Sequence, residues 1–250
     1  MSIIDQNFMR YFLIFFILLF VSCKTNEKSL TAQEIIDNSI RNSGTHKVSN
    51  SEISFDFRDK HYSAIRKIGK FELSRKFDSI RDVLNNKGFE RFLHGESLNI
   101  NDKLISKYSN AINSVHYFSI LPFGLNDAAV KKRLLNSTII NKKAYYKIEI
   151  TFSENGGGQD FEDVFIYWIG KNDFLIDYLA YSFHTNGGGM RFRVLKEHCT
   201  IEGIRFVDYY NYKPKIKTTP LIELDKAFEN KQLEKVSEII LEDISVKILD

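Results

Sequence analysis

Arg191 and Arg193 stand two residues apart in the stretch Met190 to Leu195, alternating with Met190, Phe192 and Val194. Successive side chains of a β-strand point to opposite faces, so both guanidiniums share one face and could clamp a carboxylate or phosphate. The competing use is internal: an acid on a neighbouring strand, Asp177 for example, would neutralise them across the sheet. His116 and Asp127 are the one acid–base pair whose residue types suit proton transfer. The segment Glu154 to Asp163 (ENGGGQDFED) sets four acids around three glycines. It lacks the alternating oxygen donors and terminal glutamate of a calcium loop and reads as a glycine-rich hairpin with solvated acids. A second triplet, Gly187 to Gly189, precedes neither a Lys-Ser/Thr pair nor a helix and reads as a turn, not a phosphate loop.

The six histidines show no pair at metal-binding spacing, and nucleophile elbows, Cys-x-x-Cys pairs, Walker loops and Rossmann loops are missing. No catalytic residue, metal or cofactor is therefore assigned, and the pattern leans away from an enzyme. The 35 basic and 32 acidic residues are interspersed, leaving a net charge of +3 without the concentrated basic footprint of a nucleic-acid binder. A composition 43% hydrophobic and 27% charged excludes disorder for most of the chain.

Cys23 carries a different chemistry. Tyr11 to Val21 is an uninterrupted apolar run of 11 residues, about half the ~20 that a membrane-spanning helix needs. Arg10 precedes the run, and Ser22 and Cys23 follow it as a small residue and a thiol at a cleavage point. This is a lipobox arrangement, with Phe20 where leucine is commonest. It predicts a signal peptide over 1–22, lipid on Cys23, a flexible tether over 23–30 and a single domain over 31–250. The lipid would anchor the domain to the outer membrane on its periplasmic or surface side. Glu27, alone between Lys24 and Lys28, leaves the leaflet open. Asp5 is ill placed in a leader, which points to translation from Met9 and the compact sequence MRYFLIFFILLFVSC, with Met1 the alternative start. The second cysteine, Cys199, then has no intramolecular partner and reads as a buried small hydrophobe.

The elements that must position these residues follow from periodicity. Thr31 and Glu34 form a capping box ahead of Ala32, Ile35, Ile36 and Ile40, a helix that Gly44 stops. From Ser51 the period falls to two, as Ile53, Phe55 and Phe57 alternate with Glu52, Ser54 and Asp56, and further strands follow to Leu93. A helical insertion over about 102–135 places Leu104, Ile105, Tyr108, Ala111, Ile112 and Val115 on one face, and Asn126 caps a second short helix within it. Strands resume near Tyr146 and run through Val164 to Ile169, Phe174 to Phe183, Met190 to Leu195 and Ile204 to Tyr212. A short helix near Leu221 to Phe228 precedes a last strand at Ile244 to Ile248. The expected fold is α+β, mostly β: one large antiparallel sheet of about ten strands, curled into a half-barrel.

Three stretches, Ser114 to Lys132, Gly156 to Ile169 and Asp177 to Arg193, together resemble a Bacteroidota lipoprotein family of unknown function. More distantly, a helix leading into a wide sheet with a helical insertion is similar to the LolA and LolB lipoprotein carriers, whose incomplete barrel wraps helices around a cavity for acyl chains. That resemblance implies an apolar or amphiphilic ligand such as a lipid or acyl chain, and the 21 Phe and 12 Tyr supply aromatic surface for it. The expected ligand-binding set is Leu104, Tyr108, Ile112, Trp168, Tyr181, Arg191 and Arg193. Two alternatives are a scaffold that meets an envelope protein partner through a sheet edge or aromatic patch, and a hydrolase built on His116 and Asp127.

Overall fold

The computed structural model describes residues 29–156, 161–184 and 187–250. The expected leader, Cys23 and most of the expected tether lie outside them, as do 157–160 of the acidic loop and 185–186 beside the second glycine triplet. Helix α1 (Ala32–Asn42) begins at the capping box: Glu34 N donates to Thr31 Oγ1 at 3.2 Å, and Thr31 N donates to Glu34 Oε2 at 2.8 Å. Its Ile35 and Ile36 are fully buried. Gly44, at φ 71°, turns the chain into a 3-10 segment, Thr45–Asn50.

Six strands then run as a meander: β1 (Ser51–Phe57), β2 (Lys60–Lys67), β3 (Lys70–Phe77), β4 (Ile80–Asn85), β5 (Gly88–Leu93) and β6 (Glu96–Ser97). Helix α2 (Asp102–Ser119) follows, capped by Asn101, whose side chain accepts from Leu104 N. A second meander comprises β7 (Val130–Ile140), β8 (Lys143–Phe152), β9 (Val164–Gly170), β10 (Ile176–Phe183), β11 (Gly189–Ile201) and β12 (Ile204–Pro214). After α3 (Leu224–Glu229), β13 (Leu233–Ile239) completes this second sheet, and β14 (Glu242–Ile248) pairs antiparallel with β1.

The half-barrel expectation is thus corrected. The strands divide into two seven-stranded antiparallel sheets, β14-β1-β2-β3-β4-β5-β6 and β13-β12-β11-β10-β9-β8-β7, and neither order closes on itself. An open twisted sheet rarely exceeds ~10 strands without curling or splitting, and this chain splits. The helical insertion is also shorter than expected. Asn126 caps no helix, and Val130 already begins β7. The charges Lys131, Lys132 and Arg133 that hid this strand suit its place at a sheet edge. Cys199 is exposed, not buried.

Helix α2 serves both sheets. Its Ile112 packs on Ala64 and Leu73 of the first sheet, while Phe118 meets Phe165 and Tyr181 of the second. Beneath it, cross-strand register lines up Phe55, Tyr62, Arg75, Asp82 and Arg91 in one rung. Asp82 is wholly buried and takes both guanidiniums, with Arg75 Nη2 at 2.5 Å from Oδ2 and Arg91 Nε at 2.6 Å from Oδ1. The Tyr108 ring covers Arg91, whose guanidinium carbon lies 3.6 Å from its centroid.

The second sheet has an apolar core on one face, where Trp168, Tyr178 and Phe192 pack against Leu224, Ala227 and Phe228 of α3. Asp225 fixes α3 there, held at 3.0 Å by Lys147 Nζ and accepting from Trp168 Nε1 at 3.1 Å. The segment Thr31–Asp250 is one compact unit containing every described helix and strand and all of these cores, the requirements for folding by itself.

Candidate functional site

Alternation along β9, β10 and β11 sends Phe165, Tyr181, Arg191 and Arg193 to the face opposite α3. There they meet α2 across a cleft of ≈ 920 Å³. Phe152, Phe183, Val207, Tyr209 and Ile239 extend the sheet wall, and Phe57 and Leu241 close one side. The helix contributes Lys103, Lys107, Asn110, Ser114 and Phe118, a stripe at helical spacing. An aromatic cluster forms part of the wall: Phe118 lies 5.2 Å from Tyr181, Phe165 stacks on Tyr181 at 5.6 Å, and Phe152 meets Phe165 edge-on at 5.8 Å.

The guanidinium of Arg193 is set into this cluster. Its carbon lies 3.8 Å from the Phe118 centroid and 5.3 Å from that of Tyr181, and Nη2 donates to Tyr181 Oη at 3.2 Å. The residue is 8% exposed, and its Nε is buried without a hydrogen-bond partner. Arg191 lies nearer the rim, over Phe183 at 5.1 Å, and donates from Nη1 to its neighbour's carbonyl, Met190 O, at 2.9 Å. Asp177 neutralises neither arginine; it is taken by Lys143, Tyr145 and Arg205. Tyr117 and Tyr209 add phenols to the lining, and Tyr167 stands behind, bonded to Tyr117 at 2.8 Å. Burial lifts Tyr209 to about 12 and holds Tyr117 and Tyr167 higher still, so all three stay neutral donors at ordinary pH.

Of the residues read as ligand-binding from the sequence, the cleft gathers Tyr181, Arg191 and Arg193. Tyr108 and Ile112 face the first sheet, and Trp168 is fully buried among Phe192 and α3 on the opposite face of the second. Leu104 is half-buried and does not line the cleft. The reason is the rotation of α2. Its most apolar face packs as core, and the face turned to the cleft reads in the sequence as a solvated polar stripe. Phe118, Phe165 and Tyr209 were missed with it. The alternation of Phe165 and Tyr167 with Ile166 and Trp168 was the available signal that this strand has two occupied faces.

His116 and Asp127 do not form a pair. His116 is 2% exposed, its Nε2 lies 3.2 Å from Ser74 O, and Phe55 and Tyr62 meet it edge-on. Burial, aided by nearby Arg66, pushes its imidazole down to about 3 from an ordinary 6.5, so it stays neutral and packed. Between those values the unfolded chain binds a proton that the folded chain refuses, so stability is lost as pH falls below 6.5. We expect the unfolding free energy of wild type to drop by up to about 1.4 kcal/mol per pH unit more than that of His116→Gln between pH ~6 and ~4. Urea titrations across that range check this, and parallel curves would refute it. Asp127 is itself raised by burial and lies near Lys132. Among the described residues, no group of three His, Cys, Asp or Glu is placed to hold a metal ion.

A family model described as "Family of unknown function (DUF6503)" matches residues 9–242. No curated protein matches the chain. Among solved structures, the chain is similar to a DUF1329 family protein from Desulfovibrio piger, with 9% identity, a TM-score of 0.49, and coverage of 88% of this chain and 94% of that one. It is also similar to a LolA superfamily protein from Nitrosomonas europaea, with 12% identity, a TM-score of 0.48, and coverage of 89% and 95%.

Proposed function

Because the chain belongs to DUF6503, a family of unknown function, we propose from the geometry of its own cleft that it binds an amphiphile, a lipid or a lipid-like acyl chain. The observation that carries this reading is the ≈ 920 Å³ cleft walled by Phe118, Phe152, Phe165 and Phe183, with cationic and phenolic groups set among the rings. Apolar walls with a few placed polar groups are the usual makeup of a small-molecule site, and the volume lies within the ordinary range of ~300–1,000 Å³. A core built only for stability would have closed such a gap, since unfilled volume between rings forfeits their contacts. In this reading Cys23 carries the lipid that holds the domain at the outer membrane, where amphiphiles are at hand.

The test is direct binding of a long-chain amphiphile to the soluble chain starting at Ser29, by calorimetry or displacement of a fluorescent fatty acid. Ser114 is exposed and its side chain borders the cleft, so Ser114→Trp would fill the space without entering either core. Affinity should fall by about tenfold or more in the variant, equivalent to ~1.4 kcal/mol, with an unchanged melting curve. If wild type binds no amphiphile and mass spectrometry finds none co-purifying, the reading fails and a scaffold role in an envelope assembly takes its place.

A further inference from the structure

We propose that the cleft selects for an acidic end: Arg193, with Arg191 toward the rim, takes the oxyanion of the amphiphile, a carboxylate or a phosphate. This rests on the amphiphile reading above and names the head group that reading leaves open.

Among the described residues the cations with less than a tenth of their surface exposed are Arg75, Arg91, Lys147, Arg193 and Arg205, while the half-buried Arg66, whose Nη1 also lacks a partner, lies over Phe123 outside the cleft lining. Four have a carboxylate: Arg75 and Arg91 share Asp82, Lys147 holds Asp225, and Arg205 reaches Asp177 at 3.4 Å. Arg193 has none among the described residues, and its recorded partner is a neutral phenol. An ion withdrawn from water without a counter-charge is destabilised, so a cation kept at 8% exposure against two rings needs compensation. The rings supply part of it through their faces. The remainder is not met among the described residues: Nε is buried without an acceptor, and the side chain lines the cleft.

The surroundings favour an anion as well. Among the described residues lining the cleft, Lys103, Lys107, Arg191 and Arg193 face a single carboxylate, Asp163, which has His184 at 3.4 Å. Tyr209 adds a neutral hydroxyl to the same wall, and a phenol can donate to an oxyanion without a charge of its own. The Phe152, Phe165 and Phe183 side chains then border the apolar part of the ligand.

The experiment compares dodecanoate, dodecyl phosphate, dodecanol and dodecyltrimethylammonium on the chain from Ser29, below their micelle concentrations and at pH ~8, where the acids are ionised. Wild type should bind both acids at least about tenfold more tightly than the alcohol, and the cation weakest. Arg193→Gln should weaken both acids by about tenfold or more relative to the alcohol, removing that preference. Equal affinity of wild type for acid and alcohol overturns the inference yet leaves the amphiphile reading standing. Binding of none of the four overturns that reading first. Should Arg193→Gln fail to fold, the wild-type series decides alone, and Arg191→Gln must weaken the acids more than the alcohol. Millimolar inorganic phosphate should not displace dodecanoate. Full displacement would mean a site for free oxyanions and would overturn the assignment to an amphiphile.

Discussion

Asp82→Asn lowers the unfolding free energy of the domain by about 3–5 kcal/mol, the cost of leaving buried charge without its partner. The carboxylate is fully buried and is shared by Arg75 and Arg91, both nearly as deep. Asparagine has the same shape but no charge, so two guanidiniums would face each other across a neutral amide in the middle of the first sheet. The loss is larger than for a surface pair, typically 0–1 kcal/mol, because no water screens the repulsion. Urea unfolding at neutral pH measures it. The companion variant, Arg75→Met with Asp82→Leu and Arg91→Met, removes all three charges together and should recover most of the loss, since an apolar replacement of a buried triad is often neutral or better. If the triple variant is as unstable as Asp82→Asn, then packing of the rung, not its charge balance, sets the cost.

Gly44→Ala is the other large loss. Gly44 sits at φ 71°, and a Cβ placed there would lie 1.7 Å from Gly203 O, in the turn between β11 and β12. A left-handed non-glycine residue costs about 1–3 kcal/mol by itself. The clash adds to this, because its target is backbone and cannot rotate away. The turn would have to lift from the end of α1, breaking the bond from Arg205 N to Ser43 O at 2.9 Å. Gly69 supplies the control: its φ is also 71°, and nothing lies within 4 Å of the Cβ position. Gly69→Ala should cost only the backbone term, and Gly44→Ala at least ~2 kcal/mol more. Equal melting temperatures for the two variants would show that the turn yields freely.

Much of the local structure was legible in the sequence. The box at Thr31 and Glu34, the alternation from Ile53 to Phe57 and the two-faced apolar run from Val164 each became the element their period implied. The division into two sheets was not legible, because β7 and β13, which edge the second sheet, carry charges and blur the period of two. Part of the site was legible through the spacing of Arg191 and Arg193, which fixes a shared face whatever lies opposite. The helix wall was not. Hydropathy marks the face of α2 that packs hardest, and here that face holds Ile112 and His116 against the first sheet. The cleft receives the weaker face, where Val115, Tyr117 and Phe118 near the helix end stand beside lysines, Asn110 and Ser114.

The pairing of β14 with β1 sets the order in which the molecule can be finished. Ser51 lies opposite Ile248, so this ladder joins the two ends of the domain, whereas nearly every other strand pairs with its immediate successor. The hairpins of both meanders close short loops and can form as the chain emerges. The outer ladder of β1 must wait for the last residues and closes the longest loop in the fold, the kind of contact that slows folding most. Until then β1 presents an open edge, with its own Ile53 and Phe55 on a half-built core, and such an edge invites pairing with another chain. Strand β14 therefore acts as a latch: a nascent domain is most exposed to misassociation in the interval before β14 emerges.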